Sequence, residues 1–221
     1  MAEKPADHVL LMFSGGRDST LAALRLHEAG HPLSLVTITA GHLFGLNNVE
    51  RRLRELAPIL SPDTEWLQIV QPAFRDTQRF FHQQTCLPCQ SAYVVTGVTV
   101  AREKGLQKIA MGYASYQAGW PEQGPEATKI LKSTLARYGF DLMLPVYDVA
   151  SRANVIEELK SRGVSELALE QKCTRQVTNV ELEESILSQQ LGLWAKAIDE
   201  ELARSKLLLS VSGRVRLGDL K

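Results

Sequence analysis

The sequence predicts an α/β domain built on a mostly parallel sheet with helices on both faces. Three observations carry that expectation. Strand and helix patterns alternate along the chain. The strand segments are near-continuous apolar runs, as strands covered on both faces are. The first of them meets a glycine turn that opens directly into a helix. At 221 residues the chain is one large domain, or a domain with an appendage. With 44% hydrophobic and 23% charged residues it has the composition of a globular protein, not of a disordered or collagen-like one. Lys plus Arg number 25 and Asp plus Glu 25, so the overall field does not attract nucleic acid or an anionic membrane, a local basic patch aside. The start, MAEKPADHVL, lacks the apolar run of a secretion signal, and no stretch has the roughly 18 apolar residues of a membrane span. The expectation is a cytoplasmic protein with no membrane partner.

The elements follow in order. His8 to Phe13 is a short apolar run ending at Gly15 and Gly16, which reads as a buried strand and its turn. Leu21 to Ala29 keeps helical spacing, and Gly30 and Pro32 stop it. Leu33 to Thr39 is β-branched and reads as a second strand. The pattern repeats as a helix over Asn48 to Leu60, a strand over Trp66 to Val70, a helical region from Phe74 towards Lys104 and a strand over Lys108 to Met111. A Gly- and Pro-containing loop, Ala114 to Pro125, leads to a helix near Ala127 to Tyr138, a strand over Leu142 to Val146 and a helix over Ser151 to Arg162. From Glu181 to Lys206 the chain is helical again, and Leu187, Leu191, Trp194, Ile198 and Leu202 form one stripe. That stripe either packs on its own domain or pairs with a second copy as a homodimer. The basic residues from Leu207 onward read as a short strand or a solvated tail. The expected division is a nucleotide-binding and catalytic domain over 1–175 and a helical C-terminal extension over 176–221. Sheets of this kind bind ligands beyond the carboxyl ends of their strands, so the loops after Phe13, Ile38 and Gly112 are the places to search.

The loop Phe13, Ser14, Gly15, Gly16, Arg17, Asp18, Ser19 and Thr20 has the chemistry of a phosphate site. Glycines let the backbone approach an anion, N–H groups at a helix start point at its oxygens, and the helix dipole favours its charge. Ser14, Ser19 and Thr20 add hydroxyls. Asp18 would repel phosphate unless Mg²⁺ bridges the two. A plain turn with Ser or Asp capping the helix is the ordinary alternative.

SGGRDS resembles the SGGxDS signature of the PP-loop ATP pyrophosphatases, which split ATP into AMP and pyrophosphate. A GxxxxGK loop followed by Ser or Thr is absent from the sequence. Within that superfamily the chain is similar to 7-cyano-7-deazaguanine synthases as far as about Thr174. FSGGRDST resembles their FSGG-x-DST, and Thr37 to His42 their T-F-D-Y-G-Q. Gly119 to Glu126 resembles their G-Y-P-D-C-R-P-E loop. Leu144 to Asp148, the helix to Gly163 and Leu169 to Cys173 follow in their order. The resemblance implies ATP on Phe13 to Thr20, with Ser14, Asp18 and Ser19 catalytic, Mg²⁺ at Asp18, and Ile38, Thr39 and Gly112 beside the adenine. It implies a deazapurine-like carboxylate as substrate, contacted by His42, Trp120, Pro121, Glu122 and Glu126. Its adenylate would be attacked by ammonia, giving an amide or nitrile, or by another amine, even one on a protein, giving a conjugate.

Cys86-Leu87-Pro88-Cys89 is a spacing that lets two thiolates chelate one metal, and Cys173 is the third and last thiol. His82 would complete a Cys₃His zinc site, or stand as a surface helix histidine. A C-x-x-C plus one distant cysteine also resembles tRNA 2-thiocytidine synthetases, which implies a 4Fe–4S cluster held by three thiolates and sulfur transfer to tRNA or a small molecule. A nucleotide-binding module without turnover is the third reading.

Overall fold

The computed structural model describes residues 7–71, 85–174, 181–204 and 209–220. In chain order the elements are β1 (Val9–Met12), α1 (Arg17–Glu28), β2 (Leu33–Thr39), β3 (Leu43–Phe44), α2 (Leu46–Leu56), β4 (Glu65–Val70) and α3 (Leu87–Lys104). They continue as β5 (Lys108–Met111), α4 (Pro125–Arg137), β6 (Asp141–Met143), α5 (Arg152–Ser161), β7 (Lys172–Cys173), α6 (Glu184–Ala203) and β8 (Ser210–Arg216). The main sheet has the order β6-β5-β1-β2-β4-β8, and β3 pairs with β7 in a separate two-stranded ladder. β1 is parallel to both β2 and β5, and the chain reverses its direction of travel across the sheet between them. That reversal opens a crevice at the carboxyl ends of β1 and β5.

Alternation along β1 explains its unbroken apolar sequence. Val9, Leu11 and Phe13 join one core with Leu21, Leu24, Leu53 and Val155, from α1, α2 and α5. Leu10 and Met12 join the other with Val94, Leu131, Trp194 and Ile198, from α3, α4 and α6. Both faces are covered, so every position is apolar. A buried polar chain is satisfied within the sheet: Trp66 Nε1 donates to Thr37 Oγ1 (2.9 Å), which donates to the Phe13 carbonyl (2.6 Å).

The expected helix over Asn48 to Leu60 runs instead over Leu46–Leu56, because Pro58 has no N–H to continue the ladder. The strand expected to reach Val146 stops at Met143, two residues before Pro145. Of the helical region expected from Phe74, residues 72–84 lie outside the described residues, and α3 opens at Leu87 with Pro88 in its first turn. The apolar stripe of α6 packs on α3 and α4 within the same chain, with Trp194 fully buried. The basic segment after Leu207 is a strand: β8 lies antiparallel on β4, with a bulge opposite Gln68 and Ile69. No helix among the described residues is long and apolar enough to cross a membrane.

Candidate functional site

The turn between β1 and α1 is held by its own side chains. Ser14 Oγ lies 3.0 Å from Ser19 Oγ and accepts from Gly16 N (3.2 Å). Ser19 and Thr20 hydroxyls both donate to the Gly16 carbonyl, at 3.1 and 2.6 Å. Gly15 has φ of 78°, a left-handed conformation that favours glycine, and a Cβ there would stand 2.9 Å from the Leu169 carbonyl. Gly112, at the end of β5, is needed for closeness: its Cβ would lie 2.7 Å from both N and Cα of Ser19. The β5 end and the α1 start therefore touch backbone to backbone.

Between them lies a cavity of about 320 Å³, lined by Ser14, Gly16, Arg17, Asp18, Ser19 and Gly112 among the expected residues. Phe13 and Thr20 are buried beneath it, and Gly15 turns the chain behind it. Ile38 is core, its carbonyl accepting from Gln171 Nε2 (2.8 Å), while Thr39 Oγ1 turns to the Ile69 carbonyl (3.4 Å). Neither lines the cavity.

The partners of Asp18 were not among the residues expected from the sequence. Its carboxylate accepts from Tyr116 Oη (2.6 Å) and Gln117 Nε2 (2.5 Å). Burial pushes its pKa up, and Tyr116, Gln117, Arg152 and Arg17 only partly offset this. Burial and the bond to Asp18 push the Tyr116 hydroxyl well above its ordinary range, so it stays a donor. Arg152 lines the cavity at the first position of α5, next to the N-cap Ser151, which accepts from Asn154 N (3.2 Å). A cation there opposes the helix dipole; an arginine directly after an N-cap serine was the signal available in the sequence. Gln90, Tyr93, Tyr113, Gln123 and Glu170 complete much of the wall.

The loop after β5 is built differently from the expectation of a substrate clamp. Of its residues, Tyr116, Gln117 and Gln123 reach the cavity, with Gln123 Oε1 accepting from Ala114 N (3.2 Å). Trp120 is half-buried away from it, while Pro121 and Glu126 line a separate hollow against α6. Glu122 is 3% exposed, and its Oε2 has no hydrogen-bond partner among the described residues; burial pushes its pKa up to about 7.

The three thiols lie in one region, near Tyr93 and Tyr113 of the cavity wall. Burial, then the charge of Glu122, then Cys89 and Cys173, push the Cys86 thiol up to about 12. Cys89 Sγ lies 3.8 Å from His42 Nε2, and β7 sets Cys173 opposite Leu43, with Thr174 N donating to the His42 carbonyl (2.9 Å). His42 thus belongs to the thiol region and not to the cavity wall. Cys89 influences Tyr93, and Cys86 influences Tyr113, both of which line the cavity. His82 lies outside the described residues. Among the described residues no three His, Cys, Asp or Glu side chains already stand as a metal-ligand group.

No protein-family model matches the sequence, and no curated protein matches it. Solved structures do. A 4-thiouridine synthetase in complex with RNA and ATP aligns with TM-score 0.58 and 17% identity, over 93% of this chain and 55% of that one. The chain thus spans little more than half the length of that protein. A U34-tRNA thiolase from Methanococcus maripaludis, solved with its 4Fe–4S cluster, aligns with TM-score 0.52 and 13% identity, over 89% and 70%. NMN synthetase from Francisella tularensis aligns with TM-score 0.51 and 16% identity, over 95% and 91%. At such identities the likeness is one of fold: the chain shares with these structures an α/β domain whose mostly parallel central sheet is flanked by helices.

Proposed function

We propose that this chain is an ATP-dependent adenylating enzyme that transfers sulfur to a carbonyl carbon of an RNA or small-molecule acceptor. The observation that carries this reading is the placing of Cys86, Cys89 and Cys173 in one region, near enough for the charges of Cys89 and Cys173 to act on Cys86 and for Cys89 to act on Tyr93 of the cavity wall. ATP would rest with its phosphates on the N–H groups at the start of α1. An acceptor oxygen attacks the α-phosphorus and pyrophosphate leaves. A sulfide then attacks the activated carbon, and the oxygen departs with AMP. Arg17 and Arg152 offset the phosphate charge, and Asp18, oriented by Tyr116 and Gln117, would hold Mg²⁺, which would neutralise charge on the phosphates. A thiol raised to about 12 is not ionised at neutral pH, so Cys86 is no free nucleophile. Thiolates are the ligands a thiophilic metal prefers, but among the described residues Cys86, Cys89, Cys173 and Glu122 do not stand as a ready ligand group, so holding one would need them to draw together. Bound by Cys86, Cys89 and Cys173, zinc or a 4Fe–4S cluster would ionise the thiols and offer sulfide a soft site.

A second reading keeps ATP and changes the acceptor: ammonia, or another amine, adds to the adenylated carboxylate of a 7-deazaguanine-like compound. It is favoured by the way the loop after β5 reaches the cavity through Gln123. Measuring AMP release from anaerobically purified protein separates the two. Release that needs sulfide and unmodified RNA supports thiolation. Release that needs ammonia and a carboxylated deazapurine supports the second reading. ATP held without AMP under either condition leaves a binding module and removes both.

A further inference from the structure

Arg52 is 0% exposed, although it lies in a run of arginines whose other members, Arg51 and Arg54, face solvent. It sits on the apolar side of α2 with Val49, Leu53 and Leu56. Burial holds its guanidinium below the ordinary range, with Glu55 offsetting part of the effect. A buried cation is costly unless its donors are met, and each of its three nitrogens has an acceptor. Nε donates to the Gly15 carbonyl (3.4 Å), Nη1 to Glu55 Oε2 (2.6 Å) and the Ser165 carbonyl (2.9 Å), and Nη2 to the Leu167 carbonyl (2.5 Å). Ser165 Oγ donates in turn to Glu55 (2.8 Å).

Packing alone does not call for this residue, since well-packed apolar side chains replace buried ion pairs at little or no loss of stability. The acceptors point to another use. Gly15 is the left-handed turn of the phosphate loop. The segment starting at Ser165 passes its Leu169 carbonyl behind Gly15, sets Glu170 in the cavity wall, ties Gln171 to Ile38 and ends with Cys173 on β7. One guanidinium therefore fastens the phosphate loop to the segment that carries Cys173.

We propose that Arg52 is a positioning residue of the nucleotide site: it fixes the phosphate loop without touching the ligand, and makes occupancy of the loop felt at Cys173. This rests on the nucleotide part of the function proposed above, not on its sulfur chemistry. The test uses the full chain with two readouts, pyrophosphate affinity by calorimetry and the rate of Cys173 alkylation by iodoacetamide, read by mass spectrometry. Arg52→Met is compared with Arg162→Met, which breaks ion pairs to Glu28 and Glu158 on the same side of the sheet without reaching the loop. In Arg52→Met, pyrophosphate binds about tenfold or more weaker. Pyrophosphate slows alkylation of Cys173 in the wild type and in Arg162→Met, and no longer does so in Arg52→Met. Equal losses in the two variants, or wild-type affinity in Arg52→Met, overturn the proposal. Should Arg52→Met fail to fold by circular dichroism, Arg52→Lys decides. Its single ammonium cannot span acceptors on three segments, so weakened binding supports the proposal and wild-type binding overturns it. A wild-type chain that binds neither pyrophosphate nor ATP fails the nucleotide reading itself, and the proposal with it.

Discussion

The phosphate loop and the thiol region share one edge of the sheet and are built in opposite ways. In the loop, Ser14, Gly16, Ser19 and Thr20 bond to one another across no more than five residues of chain. In the thiol region Cys89 faces His42 across 47 residues, and Cys173 arrives on a strand paired with β3. The first takes its internal hydrogen bonds from its own turn, while Gly112, Leu169 and Arg52 press on it from outside. The second exists only if α3, β3 and β7 are all in place. A continuous site is therefore sensitive to what touches it, and an assembled one to how its elements are packed.

Truncating the second core is the largest way to break that contrast. Trp194 is fully buried on α6, which packs against α3, the helix that opens with Cys86 as its N-cap. Trp194→Ala is expected to lower unfolding free energy by about 3–5 kcal/mol in denaturant titration. In the variant that still folds, Cys86 alkylates faster while pyrophosphate affinity holds. Equal damage at both sites would remove the distinction.

Gly112→Ala attacks the other side. A Cβ at 2.7 Å from the Ser19 backbone must push α1 off the end of β5. AMP formation should fall about 100-fold or more, since displacing a catalytic loop by an ångström has that order of effect. Metal content should stay as in the wild type. Unchanged turnover would mean that the β5 contact does not position the loop.

Cys173→Ser is the mirror experiment. Metal affinity, followed by elemental analysis and competition with a chelator, is expected to drop about 100-fold or more, beyond the loss typical of removing an outer-shell partner. ATP affinity should be retained. Iron near four per chain in the wild type would specify a cluster, and about one zinc the simpler site.

The smallest effect belongs to Glu122. Its folded pKa, about 7, lies above the ordinary value of 4.5. The folded state therefore binds more protons than the unfolded one between those values, and stability falls as pH rises through them. In metal-free protein the penalty above pH 7 is roughly 1–2 kcal/mol, less than the full shift implies because the site relaxes around the charge. Glu122→Gln should flatten the melting temperature between pH 5 and 8. A wild-type curve already flat there would place water at Oε2.

Much of the fold is legible in the order of residues alone. Unbroken apolar strands separated by amphipathic helices imply a sheet covered on both faces, and a glycine turn between strand and helix implies an anion site at its end. These patterns are local, fixed by side-chain alternation and by the backbone freedom of glycine, so Ser14, Gly16, Asp18 and Ser19 could be named. The pairing of β8 with β4, the packing of the α6 stripe on its own chain and the place of His42 could not. Each depends on which surfaces meet after the chain reverses across the sheet. Arg52 was hidden because a charged residue in a helix reads as solvated until tertiary packing removes the water, and Arg152, which stays exposed, because only folding brings the start of α5 to the cavity. The layered architecture and the composition of the phosphate loop can be read from neighbours in the chain, since side-chain alternation and glycine freedom are local. What holds Asp18, where the three thiols stand and what Arg52 fastens emerge on folding, because those contacts join residues far apart in the chain.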